Sequence, residues 1–303
     1  MYMPQFLLTV LVAALLFSSG LHAAPNPNPA KPAPTTAIPK GALVFSSPPR
    51  ESEEAAKKLY QPVADYLARV LGKPVVYKYP RTYGVYRTEM TNGMYDIVFD
   101  GAHFIGYRIQ KHKHNALVRF PTENRTWVVF TRKDGKINAL SELAGQAVCA
   151  QPRPTLGSLV VLSQFGNDLN RQPLIVPMTG AREATYQAVV AGHCAAGVLP
   201  ITELKPLDTN GQVKVLHERA IADQGFSAGP RVTPEEQAKI IAALLAPESA
   251  GPMEAVRARF YKGGEALVRA KNEEYLPFAD LLRGEWGFFD ESDQPSDKPL
   301  AKQ

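Results

Sequence analysis

"CAQPRPTLGSLVVLSQFG", residues 149–166, joins a short apolar run to a second apolar segment, with two prolines between them. The apolar residues after the prolines recur at helical spacing, so the stretch predicts a strand, a loop and a helix. Thr155, Gly157 and Ser158 lie at the junction. A threonine there is a typical helix N-cap, and the free backbone N–H groups of a helix start also hold anions. The junction is therefore either a helix cap or a ligand site.

Units of this kind recur along the chain in two series, near residues 41–120 and 146–200. Alternation of strands with helices is typical of parallel sheets covered by helices. The predicted fold class is therefore α/β with two lobes, each a mainly parallel sheet flanked by helices, and with a cleft between the lobes. Helices are also predicted at 233–246, 252–261 and 274–286, and we expect them to pack on the first lobe.

Composition separates the two ends of the chain from the folded part. The apolar core at 6–17 is too short for a membrane span, which needs ~20 residues. It predicts a cleavable signal peptide over residues 1–23 and export to the periplasm, with an uncleaved N-terminal anchor as the alternative. The Pro-rich segment 24–40 is predicted to be an extended linker, and the polar tail 290–303 to be disordered.

The repeat of the strand–helix pattern also sets the lobe boundaries. Residues 41–130 together with 222–289 are assigned to the first lobe, and residues 131–221 to the second. We expect the lobes to close by bending of the strands near 126–132 and 222–230.

The charge balance excludes one class of partner. The formal net charge of the 303 residues is +5, which gives a weak positive field that favours anionic ligands. No run of Lys and Arg is dense enough for a nucleic-acid tract. The nearest run, Arg108–His114, is better explained as a solvated helix end. We therefore predict no nucleic-acid partner.

The predicted topology selects the loops in which a ligand site should be sought. Ligands of open α/β sheets bind beyond the carboxyl ends of the strands, and two lobes can bring those ends together across a cleft. The loops so selected are 46–51, 79–83, 100–103, 151–158, 178–183 and 199–203.

Polar, aromatic and glycine residues in these loops are the candidate ligand-binding residues. Alternatives stay open for several of them, since serines and threonines also cap helices, Asp–Gly also forms turns, and core packing would explain two of the tyrosines Tyr79, Tyr83 and Tyr86. An arginine at the start of a helix, as at 182, opposes the helix dipole, so a partner is expected: Glu183, a cleft acid or the ligand. The candidates are Ser46, Tyr83, Asp100, Gly101, His103, Thr155, Gly157, Ser158, Arg182 and Glu183.

Motifs for catalysis and metal binding are missing from the sequence. The six histidines lack metal-ligand spacing, and no nucleophile, phosphate-loop or zinc motif appears. The sequence therefore predicts binding without turnover, no cofactor and no metal. Cys149 and Cys194 lie beyond the signal peptide, where an oxidising space allows a disulfide; two buried free thiols are the alternative.

Four passages resemble the periplasmic phosphate/phosphite/phosphonate-binding proteins of ABC transporters, which have the type II solute-binding fold. They extend over most of residues 41–245 and read "YQPVADYLARVLGKPVVYKYPRTYGVYRTEMTNGMYDIVFDGAHF", "LSELAGQAVCAQPRPTLGSLVV", "GAREATYQAVVAGHCAAGV" and "GPRVTPEEQAKIIAALLA". The resemblance implies a monomeric binding protein that closes two lobes on a small polar ligand and delivers it to a permease. The alternative is a sensor of the same fold that partners a membrane signalling enzyme.

The resemblance assigns roles to individual residues. Tyr83 matches the loop tyrosine of the family, Thr155 and Gly157 match its phosphonate loop, and Glu183 matches the acid that holds the amino group of the ligand. In a doubly wound lobe the strands that hold Cys149 and Cys194 are expected to be neighbours, which favours a disulfide between them.

The departures from the family pattern weaken the expectation of a phosphonate. The two serines that flank the loop threonine in the family are Pro154 and Leu156 here. Each lost hydrogen bond to a charged group costs roughly 1.5–3 kcal/mol. Asp100 adds an acid where the family often has an apolar residue, and Cys194 replaces an aspartate. Arg182 replaces the usual histidine and offers a guanidinium in compensation.

Overall fold

The computed structural model describes residues 38–121, 125–166, 170–261, 263, 265–285 and 287–288. The predicted signal peptide and C-terminal tail lie outside these residues, as does the linker up to residue 37. Among the described residues, no helix is both long and apolar enough to cross a membrane.

The described residues form strands and helices in the alternating order that the sequence predicts. The strands are β1 (Leu43–Ser46), β2 (Val75–Lys78), β3 (Ile97–Asp100), β4 (Asn115–Arg119), β5 (Arg125–Arg132), β6 (Ala147–Ala150), β7 (Leu174–Pro177), β8 (Ala196–Pro200), β9 (Val213–Ile221), β10 (Gly225–Ala228) and β11 (Val268–Arg269). The α-helices are α1 (Glu53–Leu71), α2 (Tyr83–Thr91), α3 (Ala102–His112), α4 (Leu156–Leu162), α5 (Arg182–Val190), α6 (Ile201–Leu207), α7 (Pro234–Leu245) and α8 (Ala250–Phe260). Short 3-10 helices span Leu140–Leu143, Ser163–Phe165, Pro247–Ser249, Asn272–Glu274 and Leu276–Leu282.

Local signals in the sequence explain where the longer helices begin and end. The Ser52 hydroxyl caps α1 by accepting from the Ala55 N–H, and α1 ends where Gly72 takes a left-handed conformation with φ 66°. Thr233 and Glu236 form a reciprocal capping box at the start of α7. These caps satisfy N–H groups that the helices themselves leave unpaired.

The strands form two sheets, one of six strands in the order β11-β4-β10-β3-β1-β2 and one of five in the order β7-β6-β8-β5-β9. The two-lobed α/β prediction is confirmed, but both sheets are mixed, so the prediction of mainly parallel sheets is wrong. In the first sheet, β10 pairs antiparallel with β3 and β4; in the second, β5 pairs antiparallel with β8 and β9. Parallel neighbouring strands need a crossover connection, usually a helix. The chain enters β5 and β10 directly from the other sheet, without a helical crossover.

Two further predictions about elements differ from the structure. Strand β5 lies wholly in the second sheet from Arg125, so the change of sheet falls before that residue and not at residue 130. The helix predicted over 274–286 is instead the 3-10 segment Leu276–Leu282. Pro277 lacks an N–H donor and disfavours the α conformation of the residue before it.

The first sheet has an aromatic core under α1, α7 and α8. Phe45 stacks on Phe226 with ring centroids 6.0 Å apart, and Phe99 contacts Phe226 at 5.0 Å with its ring tilted. Tyr60 of α1 packs edge-on against Phe45. The last two α-helices contact α1, so they pack on the first lobe as predicted. This core holds the carboxyl ends of β1, β2 and β3 in place.

A disulfide joins Cys149 and Cys194 in the second sheet. Strands β6 and β8 are parallel neighbours, with Cys149 opposite Gly197, and Cys194 lies just before β8. Their Cα atoms are 5.7 Å apart, which suits a disulfide. The bond fixes the start of β8 to the middle of β6.

Replacing both cysteines by alanine is expected to lower the free energy of unfolding by about 2–4 kcal/mol. The crosslinked residues are 45 apart in sequence, so the bond removes much of the freedom of the unfolded chain. Guanidinium denaturation of both proteins measures the difference. A reductant should destabilise the wild type and leave the variant unchanged, and equal stabilities without reductant would contradict the expectation.

Candidate functional site

Loops from the two sheets meet where the strands end. The His103 Nε2 lies 3.1 Å from the carbonyl oxygen of Pro154. A Cβ atom on Gly101 would lie 3.8 Å from the Leu156 side chain. The loop after β3 therefore contacts the loop before α4, and the predicted cleft-facing loops of the two lobes are neighbours.

Arg50 is the central charged residue of the first-lobe loops. It lies between β1 and α1, with its guanidinium 5.4 Å from the centre of the Phe260 ring. Its side chain is only 19% exposed, and Nη2 is 4.0 Å from Asp100 Oδ1. Burial alone lowers the pKa of Arg50, but Tyr60, Tyr83 and Asp100 outweigh it and raise the pKa, so the side chain stays charged. Its Nη1 is buried and has no hydrogen-bond partner in the described residues.

Asp100 is fully buried and held from behind by α3 and α2. Its Oδ2 accepts from Nε and Nη2 of Arg108, both at 3.4 Å, and from the hydroxyl of Tyr86. Burial raises the pKa of this carboxyl, while the charges of Arg108 and Arg50 oppose the rise. The second oxygen, Oδ1, is buried without a hydrogen-bond partner in the described residues and lies on the Arg50 side.

His103 is buried and neutral. Burial and then the charge of Arg50 lower its pKa to about 3, so the ring carries no charge near neutral pH. A carbonyl only accepts hydrogen bonds, so Nε2 carries the proton that it donates to Pro154. Nδ1 is then an acceptor, and it is buried without a partner in the described residues.

The three tyrosines near the loop after β2 have different roles. Tyr79 donates its hydroxyl to the carbonyl of Glu51 at 2.8 Å, and Tyr86 lies in the core beside Asp100. Tyr83 is partly buried in the first turn of α2, behind the Thr82 cap. Burial raises the pKa of Tyr83 to about 12, against the opposing charge of Arg50. Tyr83 is therefore a neutral hydroxyl next to the guanidinium.

The junction at Thr155 was predicted to be either a helix cap or a ligand site, and its hydroxyl does not act as a cap. Thr155 has the extended backbone of a cap, but its hydroxyl donates to the Pro152 carbonyl at 2.7 Å and does not cap α4. Gly157 is needed for packing, because a Cβ there would lie 3.1 Å from the Cβ of Gln151. Thr155 is partly exposed, and a hydroxyl that donates one hydrogen bond can still accept others.

Two candidate serines lie behind the loops. Ser46 and Ser158 are fully buried. Ser46 donates to the carbonyl of Lys78 at 2.8 Å, and Ser158 donates to that of Thr155 at 3.0 Å. Both hydroxyls tie backbone segments together.

Arg182 has one of the three partners that the sequence left open. Its Nε lies 2.7 Å from Glu203 Oε2 in the first turn of α6, and Arg125 lies 3.7 Å from the other oxygen. Burial, with the charges of Arg125 and Arg259, lowers the pKa of Arg182 against the effect of Glu203. Glu183 is exposed, so the cleft acid Glu203 is the partner.

A family model decides the relationship of this chain to known proteins. The model for the phosphonate periplasmic substrate-binding proteins of ABC transporters matches residues 45–275. The chain belongs to this family. The resemblance of the four sequence passages is thereby confirmed.

Solved structures with the same fold agree with the family. XAC2383 from Xanthomonas citri, bound to ATP, has a TM-score of 0.60 at 14% identity, with 80% of this chain and 96% of that one covered. PhnD1 from Prochlorococcus marinus, in complex with methylphosphonate, has a TM-score of 0.55 at 15% identity, covering 80% and 97%. A phosphonate-transporter binding protein from Pseudomonas aeruginosa, PA3383, has a TM-score of 0.53 at 14% identity, covering 79% and 85%. No curated protein matches the sequence.

This member of the family contains charged groups that sequence reasoning missed. Arg50 lies in a selected loop, yet it is not among the candidate ligand-binding residues. Arg50 precedes the acidic first turn of α1, where a positive charge opposes the dipole of α1 as Arg182 opposes that of α5. That signal identifies Arg50. Arg108 and His114 are buried, so the solvated-end interpretation of 108–114 is wrong at both ends. Within the described residues, no group of three His, Cys, Asp or Glu could hold a metal ion.

Proposed function

We propose that this protein binds a phosphonate-type oxyanion carrying one proton, and that the first-lobe residues around Arg50 hold it. One observation carries the proposal: Arg50 Nη1 is a buried donor without a partner, and Asp100 Oδ1 and His103 Nδ1 are buried acceptors without one, among the described residues. The charge of Arg50 acts on both acceptors. A site with this set of groups needs a ligand that both accepts and donates.

A singly protonated phosphonate meets these requirements. Its charged oxygens accept from a guanidinium, which is the side chain best suited to planar two-point contact with oxyanions. Its hydroxyl donates to the Asp100 carboxylate or to the His103 ring. An oxyanion without a proton would instead bring a negative oxygen against Asp100, and the site should discriminate against it.

The second lobe completes the site in this proposal. Thr155, Gly157, Arg182 and Glu183 remain predicted ligand-binding residues, with Tyr83 and Gly101 on the first lobe. Pro154 and Leu156 supply no hydroxyls, so the main anion contact moves from the second-lobe loop to Arg50. Lobe closure around the ligand and its delivery to a permease, by a monomer in the periplasm, belong to the same proposal, and we infer binding without turnover.

Calorimetric titration of the protein tests this function. The ligands are methylphosphonate, phosphite, phosphate and 2-aminoethylphosphonate, with sulfate as a control of similar shape that carries no proton near neutral pH. We expect at least one protonated oxyanion to bind at least about tenfold more tightly than sulfate, since one unsatisfied buried acceptor costs about 1–3 kcal/mol. Equal binding of sulfate would contradict the protonated form, and no binding of any oxyanion would contradict the proposed function.

A further inference from the structure

A cavity lies beside α4, next to Arg153 of the loop between β6 and α4. Its volume is about 230 Å³, and it lies between α4, strand β9 and the C-terminal segment 280–285. The segment Leu276–Leu282 packs against α3 beside the first sheet, whereas α4 packs against the second. The cavity therefore lies at the seam between the two lobes. Its apolar wall consists of Leu159, Leu162 and Leu281.

The charged groups around this cavity are not balanced. Arg153 donates to Glu285 at 2.9 Å, and Arg283 donates to Asp280 at 3.2 Å, so two arginines have carboxylate partners. Arg219 differs from both. Its Nη1 donates to the Ser163 hydroxyl at 3.0 Å, and no carboxylate of the described residues forms an ion pair with it.

Arg219 is also partly buried. Burial lowers its pKa, and Asp280 opposes that effect only through its field. The guanidinium has five N–H donors, and the structure uses one of them in its bond to Ser163. The cavity thus combines the Arg219 guanidinium, which has no carboxylate partner among the described residues, with an apolar wall. Most of the N–H donors of that guanidinium are left for a ligand.

We propose that this cavity binds a short-chain monocarboxylate, with the carboxylate on Arg219 and the alkyl chain against the three leucines. The single excess positive charge matches a monoanion. A guanidinium recognises a carboxylate through two parallel hydrogen bonds. A volume of about 230 Å³ is below the range of drug-sized ligands and suits an acid of roughly four to six carbons.

This site does not depend on the proposed oxyanion site. Arg219 and Ser163 lie on the second-lobe side of the seam, and none of the residues around Arg50 lines the cavity. An occupant would contact both α4 and the C-terminal segment, so it would stabilise the seam. Failure of either site leaves the other testable.

Calorimetric titration with sodium valerate tests the proposal, with valeramide as the neutral ligand of the same shape. We expect one molecule of valerate to bind per chain, and valeramide to bind at least about tenfold more weakly, because it lacks the charge. Arg219→Gln should weaken valerate binding by roughly 10- to 100-fold. Arg50→Gln, which alters the oxyanion site, and Arg69→Gln, which removes an exposed arginine of α1, should leave it unchanged.

Each other result would overturn the proposal. These are no saturable binding of valerate, equal binding of valeramide, an unchanged affinity in Arg219→Gln, or a loss of affinity in Arg50→Gln. If Arg219→Gln does not fold, as judged by circular dichroism, Arg219→Lys takes its place. It keeps the charge, loses the planar donors and should weaken valerate binding by about fivefold or more.

Discussion

Arg50→Gln is expected to weaken methylphosphonate binding by about 100-fold or more. The Arg50 side chain is 19% exposed and lies beside Asp100, His103 and Tyr83, so its contacts with an anion are largely shielded from bulk water. A 100-fold loss of affinity corresponds to about 2.7 kcal/mol. Two charge-assisted hydrogen bonds contribute roughly 1.5–3 kcal/mol each, so their loss is enough to produce it. The variant also leaves the Asp100 carboxylate facing the ligand without a neighbouring cation on that side.

Calorimetric titration of wild type and variant with methylphosphonate measures this loss. Arg50→Lys is the informative companion, because it keeps the charge and loses the planar pair of donors, and it should fall between the two. Arg69→Gln, on the exposed side of α1, is the matched control and should bind as the wild type does. Wild-type affinity in a folded Arg50→Gln would mean that the anion is held elsewhere, with the second-lobe loop at Thr155 as the next candidate.

The sequence is sufficient to predict the architecture because the architecture depends on periodicity. Alternating apolar runs and helical segments predict the strand ends, and thereby the loops that meet at His103 and Pro154. The strands near 126–132 and 222–230 were predicted, but the antiparallel direction of β5 and β10 was not, for a physical reason. Direction within a sheet depends on how the chain crosses between lobes, and an isolated apolar run carries no signal of that.

The roles of individual side chains were harder to predict, since orientation depends on packing between distant segments. Ser46 and Ser158 lie at the predicted strand and helix ends, yet both hydroxyls donate hydrogen bonds to backbone carbonyls behind the site. Arg50 was a helix-flanking charge in the sequence and is a buried cation in the fold because Phe260 of α8 closes over it. Contact between residues 50 and 260 has no local signature.

The buried pair of Asp100 and Arg108 also has no local signal in the sequence, and its disruption is expected to have a large effect on stability. Asp100→Leu is expected to lower the free energy of unfolding by about 3–5 kcal/mol, because it leaves the buried Arg108 without its carboxylate. Arg108 is 1% exposed, and it also donates to the Tyr86 hydroxyl at 2.8 Å. Neither partner can reach water without disruption of the core around α2 and α3.

The double variant Asp100→Leu, Arg108→Met distinguishes the effect of the ion pair from the effect of the volume that the two side chains fill. Replacing both charges by apolar groups removes the unpaired cation, so the double variant should be more stable than Asp100→Leu alone. Guanidinium denaturation of the wild type, both single variants and the double variant completes the cycle. Asp134→Asn is the control, because Asp134 pairs with Arg132 on the exposed surface and should change stability little. If the double variant were as unstable as the sum of the single variants, the two charges would act independently. The carboxylate would then be retained for the ligand alone, with its free oxygen directed at Arg50.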